Sequence, residues 1–453
     1  MRNQVKYAMG NSVPSPRRKV AIFGFVNADE ALARWLRAGR TPLEIHAFSL
    51  APNAAFEQCC DAVYRFRPGD PELQRILKRE AYDLVYVGPI PAVLAFSSEL
   101  QTHAIPFVGP TAQHIKFELD KTKIFEALPE PDAILPKTAI LTDSSPQSVS
   151  SALSEFPSGY VLKFNGDFSR YYDETEAGRV RLSDETISRE EVFEFVRRSI
   201  ESSGSVIIQE KLIGKDFSAN YLVDKNEGLF PIGENVCYKR RNDFNRGPMT
   251  DGTGSVSWGG QVPFLTARDR ERIHEAVGRF VRHVNRVVGI RLTGFLNADL
   301  IKTVEGRVYL CEVNFREPGV HTLASLYRCL NNDLFDLLLR ARNGELAQLS
   351  PVFDPGVSVV VSAYPPYYPY RRPRSELTTV KVSKKVPPGI SLFTGWVELL
   401  SESETWREFL LMSAPSLTFE AHETSLERSR KIVYKAMESM VPSGLLYRRD
   451  IGL

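Results

Sequence analysis

The chain has no run of about 18 consecutive apolar residues, the length a membrane-spanning helix needs. It is poor in cysteine: five residues in 453, Cys59, Cys60, Cys237, Cys311 and Cys329, with no C-x-x-C pair among them. That is too sparse for a zinc site or a disulfide scaffold, and the adjacent Cys59 and Cys60 read as buried packing. Neither sign of charge dominates. The 57 Lys and Arg against 55 Asp and Glu leave a formal net charge of +2, which argues against nucleic-acid binding as the primary role. The first 18 residues, MRNQVKYAMGNSVPSPRR, are basic but lack the apolar centre of a signal peptide, so a loose tail and a cytoplasmic protein are expected. The G-x-G-x-x-G of a dinucleotide fold is missing too. Gly24 is the only glycine in the first strand-to-helix turn, which removes the close pyrophosphate approach that fingerprint provides.

What is present is an ordinary globular composition, 43% hydrophobic and 25% charged, long enough for two to four domains. RKVAIFGF, LEIHAFSL, YDLVYVGP and IPFVGP read as short apolar strands separated by helical stretches such as DEALARWLRA and PELQRILKREA, the pattern of a parallel α/β layer. One helix is expected over AQHIKFELDKTKIFEAL. Strand-like segments follow from about 150 to 215, then an amphipathic helix through ARDRERIHEAVGRFVRHVNRVV. AQLSPVFDPG breaks the pattern and marks a boundary. The remainder is β-rich and ends in the helix SLERSRKIVYKAMESM. YPPYYPYRRPR is expected to be an ordered loop or edge.

The most informative stretch is GFLNADLIKTVEGRVYLCEVN. A two-residue hairpin turn at Glu305 and Gly306 places Asp299 directly opposite Glu312. Val308, Leu310, Glu312 and Asn314 share parity and are expected on one face of their strand. Facing carboxylates repel, and a hard divalent cation between them turns that cost into a binding site. The ordinary alternative leaves Asp299 in water and Glu312 paired with an arginine. Lys121 and Lys163 are candidate phosphate contacts. Lys163 lies inside the apolar run YVLKF, where an unpaired ammonium is costly. QEKLIGKDF has the form of a hinge, with backbone around Lys211 and Leu212 for an adenine edge and Asp216 for ribose hydroxyls.

Four segments carry a resemblance. VIIQEKLIGKDFS resembles V-V-I-E-E-F-L-x-G-E-E-A-S. KRRNDFNRGPMTDGTG, Lys239 to Gly254, is similar to K-R-x-G-D-G-D-x-G-P-N-T-G-G-M-G. LCEVNFR resembles V-I-E-F-N-C-R, and YRRDIG, Tyr447 to Gly452, resembles Y-R-[RK]-D-I-G. From about Lys19 to Leu453 the chain thus resembles the ATP-grasp superfamily, in its glycinamide ribonucleotide synthetase (phosphoribosylamine–glycine ligase) branch.

The resemblance implies an α/β and α+β multidomain fold. After the tail of residues 1–18 come a parallel α/β domain at 19–110, an ATP-grasp clamp at 111–348 with a flap at about 136–210, and an α+β domain at 349–453. It implies ATP and Mg2+ (or Mn2+) as cofactors. Lys121 and Lys163 would contact phosphates, Gln209, Glu210, Lys211 and Leu212 would line the adenine, and Asp216 would hold the ribose. Glu312 and Asn314 would ligate the metal. Asp299 departs from the branch, which has Gly there, and is added on the hairpin geometry. Arg316 and Lys239 would be catalytic, Arg316 as a fixed cation beside an acyl phosphate.

The implied activity is ATP-dependent carboxylate–amine ligation that releases ADP and phosphate. Its partners would be small molecules, with no nucleic acid or membrane, in a monomer or homodimer. Three further segments depart from the family, the last two bearing on substrate. NGDFSRYYDETEAGR is longer than the family's phosphate loop. GFVNADEALARWL replaces G-S-G-G-R-E-H-A, putting Asp29 and Glu30 where a sugar phosphate would approach. REPGVHT likewise stands for R-F-G-D-P-E-T. A repurposed ligase joining an amino acid to an amine or second amino acid in specialised metabolism is therefore expected. The alternatives are phosphoribosylamine–glycine ligation in purine biosynthesis and a non-catalytic nucleotide-binding regulator.

Overall fold

The computed structural model describes residues 17–24, 26–128, 134–166, 180–183, 188–412 and 416–453. Nearly all of the expected tail and most of the altered phosphate loop lie outside these residues.

Strands β1 (Arg18–Phe23), β2 (Leu43–Ser49), β3 (Ala62–Arg65) and β4 (Leu84–Val87) form a parallel sheet of order β3-β2-β1-β4. A sheet covered on both faces needs continuous apolar strands, and β1 supplies one. Val20 and Ile22 join a core with Leu32, Trp35 and Leu36 of the helix Asp29–Ala38, while Ala21 and Phe23 pack with Phe48 and Phe96 on the other side.

The expected helix over 112–128 is in fact two, Ala112–Leu119 and Lys123–Ala127. Asp120 interrupts it by accepting from the Thr122 hydroxyl at 2.6 Å and from the Asn165 amide at 3.1 Å, a side-chain competition with helical bonding. Lys121 therefore sits in the break, its backbone N–H donating to Asn165 Oδ1 at 2.8 Å. It is not on a helix, as the sequence suggested.

A small antiparallel sheet of order β5-β8-β6-β7 follows, built from β5 (Thr138–Leu141), β6 (Tyr160–Phe164), β7 (Val180–Leu182) and β8 (Val206–Glu210). The central sheet has eight strands. They are β9 (Gly214–Val223), β10 (Leu229–Asn242), β11 (Arg246–Trp258), β12 (Gly294–Thr303), β13 (Val308–Asn314) and β14 (Val357–Ala363), with β16 (Ile390–Phe393) and β19 (Leu417–Glu423) after β15 (Thr379–Ser383) in the chain. The order β13-β12-β9-β10-β11-β14-β19-β16 carries one sheet across residue 349. β15 joins β17 (Val397–Glu402) and β18 (Trp406–Leu411) in a three-stranded sheet.

One face of the central sheet is covered by the helix Ala267–Val288. Thr266 and Asp269 close a capping box at its start, and Gly289, left-handed at φ 73°, ends it. Its Ile273, Val277, Phe280 and Val284 pack on Phe217, Ala219, Leu296 and Ala298. Each buried side chain of this size contributes about 1.5–3 kcal/mol. The other face receives a helix at Val320–Cys329 that the sequence did not announce. It is buried on nearly every side, between the N-terminal layer and the sheet, so no polar stripe betrays its period.

The β12–β13 hairpin corrects the expected turn. Thr303 N–H donates to Arg307 O at 2.8 Å and Gly306 N–H to Thr303 O at 3.0 Å, so the loop is one residue longer than two. Near the turn Leu300 faces Leu310, yet Asp299 faces Glu312, because Cys311 is an extra residue in β13. The longer loop and the bulge compensate, and the expected pair forms. The bulge also reverses the alternation. Leu310 before it and Val313 after it share one core, so Glu312 and Asn314 project from the face opposite Val308 and Leu310.

Candidate active site

On that opposite face two polar rows cross the sheet. Asn235, Ser218, Asp299 and Glu312 are successive neighbours on β10, β9, β12 and β13, and Asn220, Asn297 and Asn314 form the adjacent row. Ser218, Asn297, Asp299, Glu312 and Asn314 of these rows border a cavity of about 780 Å3 whose walls also include Lys121, Lys239 and Arg316. Six of the sequence-derived site residues thus meet in one place.

Asp299 and Glu312 each already hold an ammonium. Lys121 pairs with Glu312. Lys239 Nζ lies 3.0 Å from Asp299 Oδ2, and Asp299 Oδ1 accepts from the Ser218 hydroxyl at 2.7 Å. Burial works to lower the pKa of Lys239, but neighbouring anionic groups, Asp299 foremost, outweigh it and raise it. Asp216 is pushed up, first by burial and then by Asp299, with Lys239 opposing. Arg316 Nε is 3.7 Å from Glu118 Oε1, and the other Glu118 oxygen accepts the Phe315 N–H at 2.7 Å. Glu118 fixes both the end of β13 and the guanidinium beyond it.

The remaining expected residues do not line this cavity. Lys163, 8% exposed on β6, donates from Nζ to the carbonyl of bulge residue Cys311 at 2.7 Å, linking the small sheet to the hairpin. Gln209 donates to the Thr138 hydroxyl at 3.0 Å, Glu210 accepts from Lys137 N–H at 2.7 Å, and Lys211 N–H donates to Gly159 O at 3.0 Å. Leu212 is half-buried where β8 hands over to β9, and Asp216 lies on β9 opposite Ile301.

Several residues escaped sequence reasoning. A chain of amides runs from Asn314 to Asn297 (3.3 Å), to Asn220 (2.8 Å), to Asn235 (3.1 Å) and on to the Thr322 hydroxyl (3.1 Å). The signal was available, because FSANY and FLNAD alternate polar with apolar residues along buried strands. His321 also lines the cavity, with burial and then Lys239 lowering its pKa to about 4. Asp29 and Glu30 correct a different expectation. Asp29 is 0% exposed and accepts the Val26 N–H at 2.5 Å; burial and then Glu317 push its pKa well up. Glu30 accepts the Thr394 N–H at 2.7 Å and pairs with Arg34. Both turn inward, and the anticipated repulsion of a phosphate does not arise from them.

The family described as phosphoribosylglycinamide synthetase, ATP-grasp (A) domain, matches residues 180–321. The chain is ATP-grasp-like, similar along its length to phosphoribosylamine–glycine ligases. The relative from Methanosarcina barkeri is 22% identical, with 96% of each chain covered; that from Xylella fastidiosa is 27% identical over 83% of each. Among solved structures, the phosphoribosylamine–glycine ligase of Thermotoga maritima superposes with a TM-score of 0.72 at 20% identity, covering 96% of this chain and all of that one. The biotin carboxylase domain of the Hydrogenobacter thermophilus 2-oxoglutarate carboxylase, in complex with MgADP, ADP and bicarbonate, gives 0.65 at 15% identity, covering 95% and 91%. The shared fold is the ATP-grasp architecture.

Within that architecture Lys163 has a testable role. Lys163→Ala is expected to weaken binding of a non-hydrolysable ATP analogue at least about tenfold, the loss of one charge-assisted phosphate contact. Lys116→Ala, at an exposed helix position, is expected to leave it unchanged. Isothermal titration giving equal affinities for the two variants would remove Lys163 from the phosphate site.

Proposed function

We propose that the protein is an ATP-dependent, ADP-forming ligase that joins a carboxylate to an amine through an acyl phosphate. The observation that carries this reading is the set of Asp299, Glu312 and Asn314 beside Lys121, Lys239 and Arg316 in one cavity. The donor set of two carboxylates and an amide is all oxygen, which suits Mg2+ or Mn2+. Among the described residues no cluster of three or more His, Cys, Asp or Glu offers a different kind of site. Asp299, Glu312 and Asn314 would hold the ion, which when bound neutralises charge on the transferring phosphoryl group.

A free carboxylate resists an amine because oxide is a hopeless leaving group. Attack of the carboxylate oxygen on the γ-phosphorus releases ADP and leaves an acyl phosphate. The amine nitrogen then attacks the acyl carbon, phosphate departs and the amine loses a proton. Arg316 and Lys239 would hold the anionic charge in both steps, chiefly as positioned fixed charges.

For the substrates, the whole-length likeness to phosphoribosylamine–glycine ligases favours phosphoribosylamine and glycine over the repurposed pairing expected from the sequence. The inward-turned Asp29 and Glu30 remove the electrostatic objection to that pair. A second reading, amino acid plus another amine, retains one supporting observation, His321 in the cavity wall within the altered REPGVHT turn. Incubation with ATP, Mg2+, glycine and freshly generated phosphoribosylamine is expected to give glycinamide ribonucleotide at ordinary enzymatic rates. No such product, with ADP released on another amine, would establish the second reading instead. No ADP with any amine would leave only a nucleotide-binding regulator.

A further inference from the structure

The segment Tyr364–Arg374, YPPYYPYRRPR, is fastened along its length. Tyr364 exchanges both backbone bonds with Leu446 at 2.8 Å, and the buried Tyr368 hydroxyl donates to Gly252 O at 3.2 Å. Arg241 Nη1 donates to the carbonyls of Pro366 and Tyr368 at 3.1 and 3.2 Å. So held, the segment brings Arg371 and Arg372 to the wall of the active-site cavity. The next cation along, Arg374, is consumed by a two-pronged pair with Glu398 at 2.7 and 2.8 Å. Arg372 has only a 3.9 Å approach to Glu376 and lies over the Tyr367 ring, 6.0 Å from its centroid. Among the described residues Arg371 makes no hydrogen bond or ion pair.

The facing N-terminal wall is Val26, Asn27, Ala28, Pro89, Ile90 and Pro91, without a charge. A negatively charged group entering there finds its countercharge only across the cavity. The acids nearby are Asp251, which also lines the wall, and Glu317, whose carboxyl is engaged by the Tyr86 hydroxyl. We propose that Arg371 and Arg372 form the anion-binding end of the amine-substrate site, taking the phosphate or carboxylate that the amine carries. Adjacent guanidinium forks match the paired oxygens of both groups. This supplies from the C-terminal part the cation that the first turn lacks. It deepens the ligase reading above and rests on it.

Isothermal titration of the full chain with ribose 5-phosphate, succinate and unphosphorylated ribose tests it. Binding of ribose 5-phosphate is expected, weakened at least tenfold in R371A/R372A and partly restored in R371K/R372K, with ribose itself not bound. Binding of succinate instead, lost in the same variant, assigns the site to a carboxylate. In turnover, the amine KM of R371A/R372A should rise at least tenfold while kcat and the ATP KM stay within twofold. Neither anion binding the wild type, an unchanged affinity in R371A/R372A, or an equal loss of ATP affinity overturns the proposal. The ligase reading is judged separately, by whether the wild type releases ADP at all.

Discussion

Glu312→Ala is expected to lower ADP production at saturating Mg2+ by roughly a thousandfold, the loss of about 4 kcal/mol of charge stabilisation at the phosphoryl group. The fold should survive. The Glu312 side chain is 30% exposed, and its ion-pair partner Lys121 lines the same cavity. Asn314→Ala is expected to lose activity comparably but to cost more stability. It removes a donor from the buried amide chain and leaves Asn297 Oδ1 short of a bond, a penalty of about 1–3 kcal/mol. A coupled ADP assay beside thermal unfolding separates the two effects. Near-wild-type turnover in either variant would show that these side chains do not hold the metal.

Much of this was legible because buried parallel strands and amphipathic helices write their periods into the sequence. RKVAIF and LEIHAFS formed a parallel pair, and the helix at 267–288 appeared between its cap and its glycine. The Asp299–Glu312 pairing was also legible, but through a turn that does not exist. A bulge is one residue whose placement answers to tertiary contacts, here a Lys163 ammonium seated on the Cys311 carbonyl. No local pattern records that. The helix at 320–329 was hidden for the opposite reason. Buried on nearly all sides, it has no polar face to beat against.

The site was read through its charges and missed through its neutral groups. Glu118 looked like one more helical carboxylate until β13 ended on it. Ser218, Asn220 and Asn297 are unremarkable singly and become a network only when three strands lie in register. Asp29 and Glu30 show the converse error. Sequence gives a carboxylate's position but not its direction, and a backbone N–H three residues away decided the direction of Asp29.

Lys239 supplies the sharpest remaining test, because two of its expected effects have opposite sign. Its ammonium now neutralises Asp299, as Lys121 neutralises Glu312. An ion and a lysine compete for the same oxygen, so the lysine must leave when the ion arrives. Once displaced, a half-buried ammonium favours another anion, since a partly desolvated charge left unpaired is costly. In the proposed ligase reaction, the γ-phosphate and the acyl phosphate are the anions that would take the carboxylate's place. Lys239→Met is therefore expected to tighten Mn2+ binding to the nucleotide-free protein by roughly tenfold, through removal of the cation that competes for the Asp299 carboxylate. The same substitution is expected to lower turnover at least about a hundredfold, the scale of one charge-stabilising contact removed from the transition state. Lys121→Met should behave likewise at Glu312. Electron paramagnetic resonance titration of Mn2+, set beside ADP release, reads both quantities on the same preparation. A lysine that merely props up the fold would weaken metal binding together with activity, and that joint loss would refute the exchange of partners proposed for Lys239.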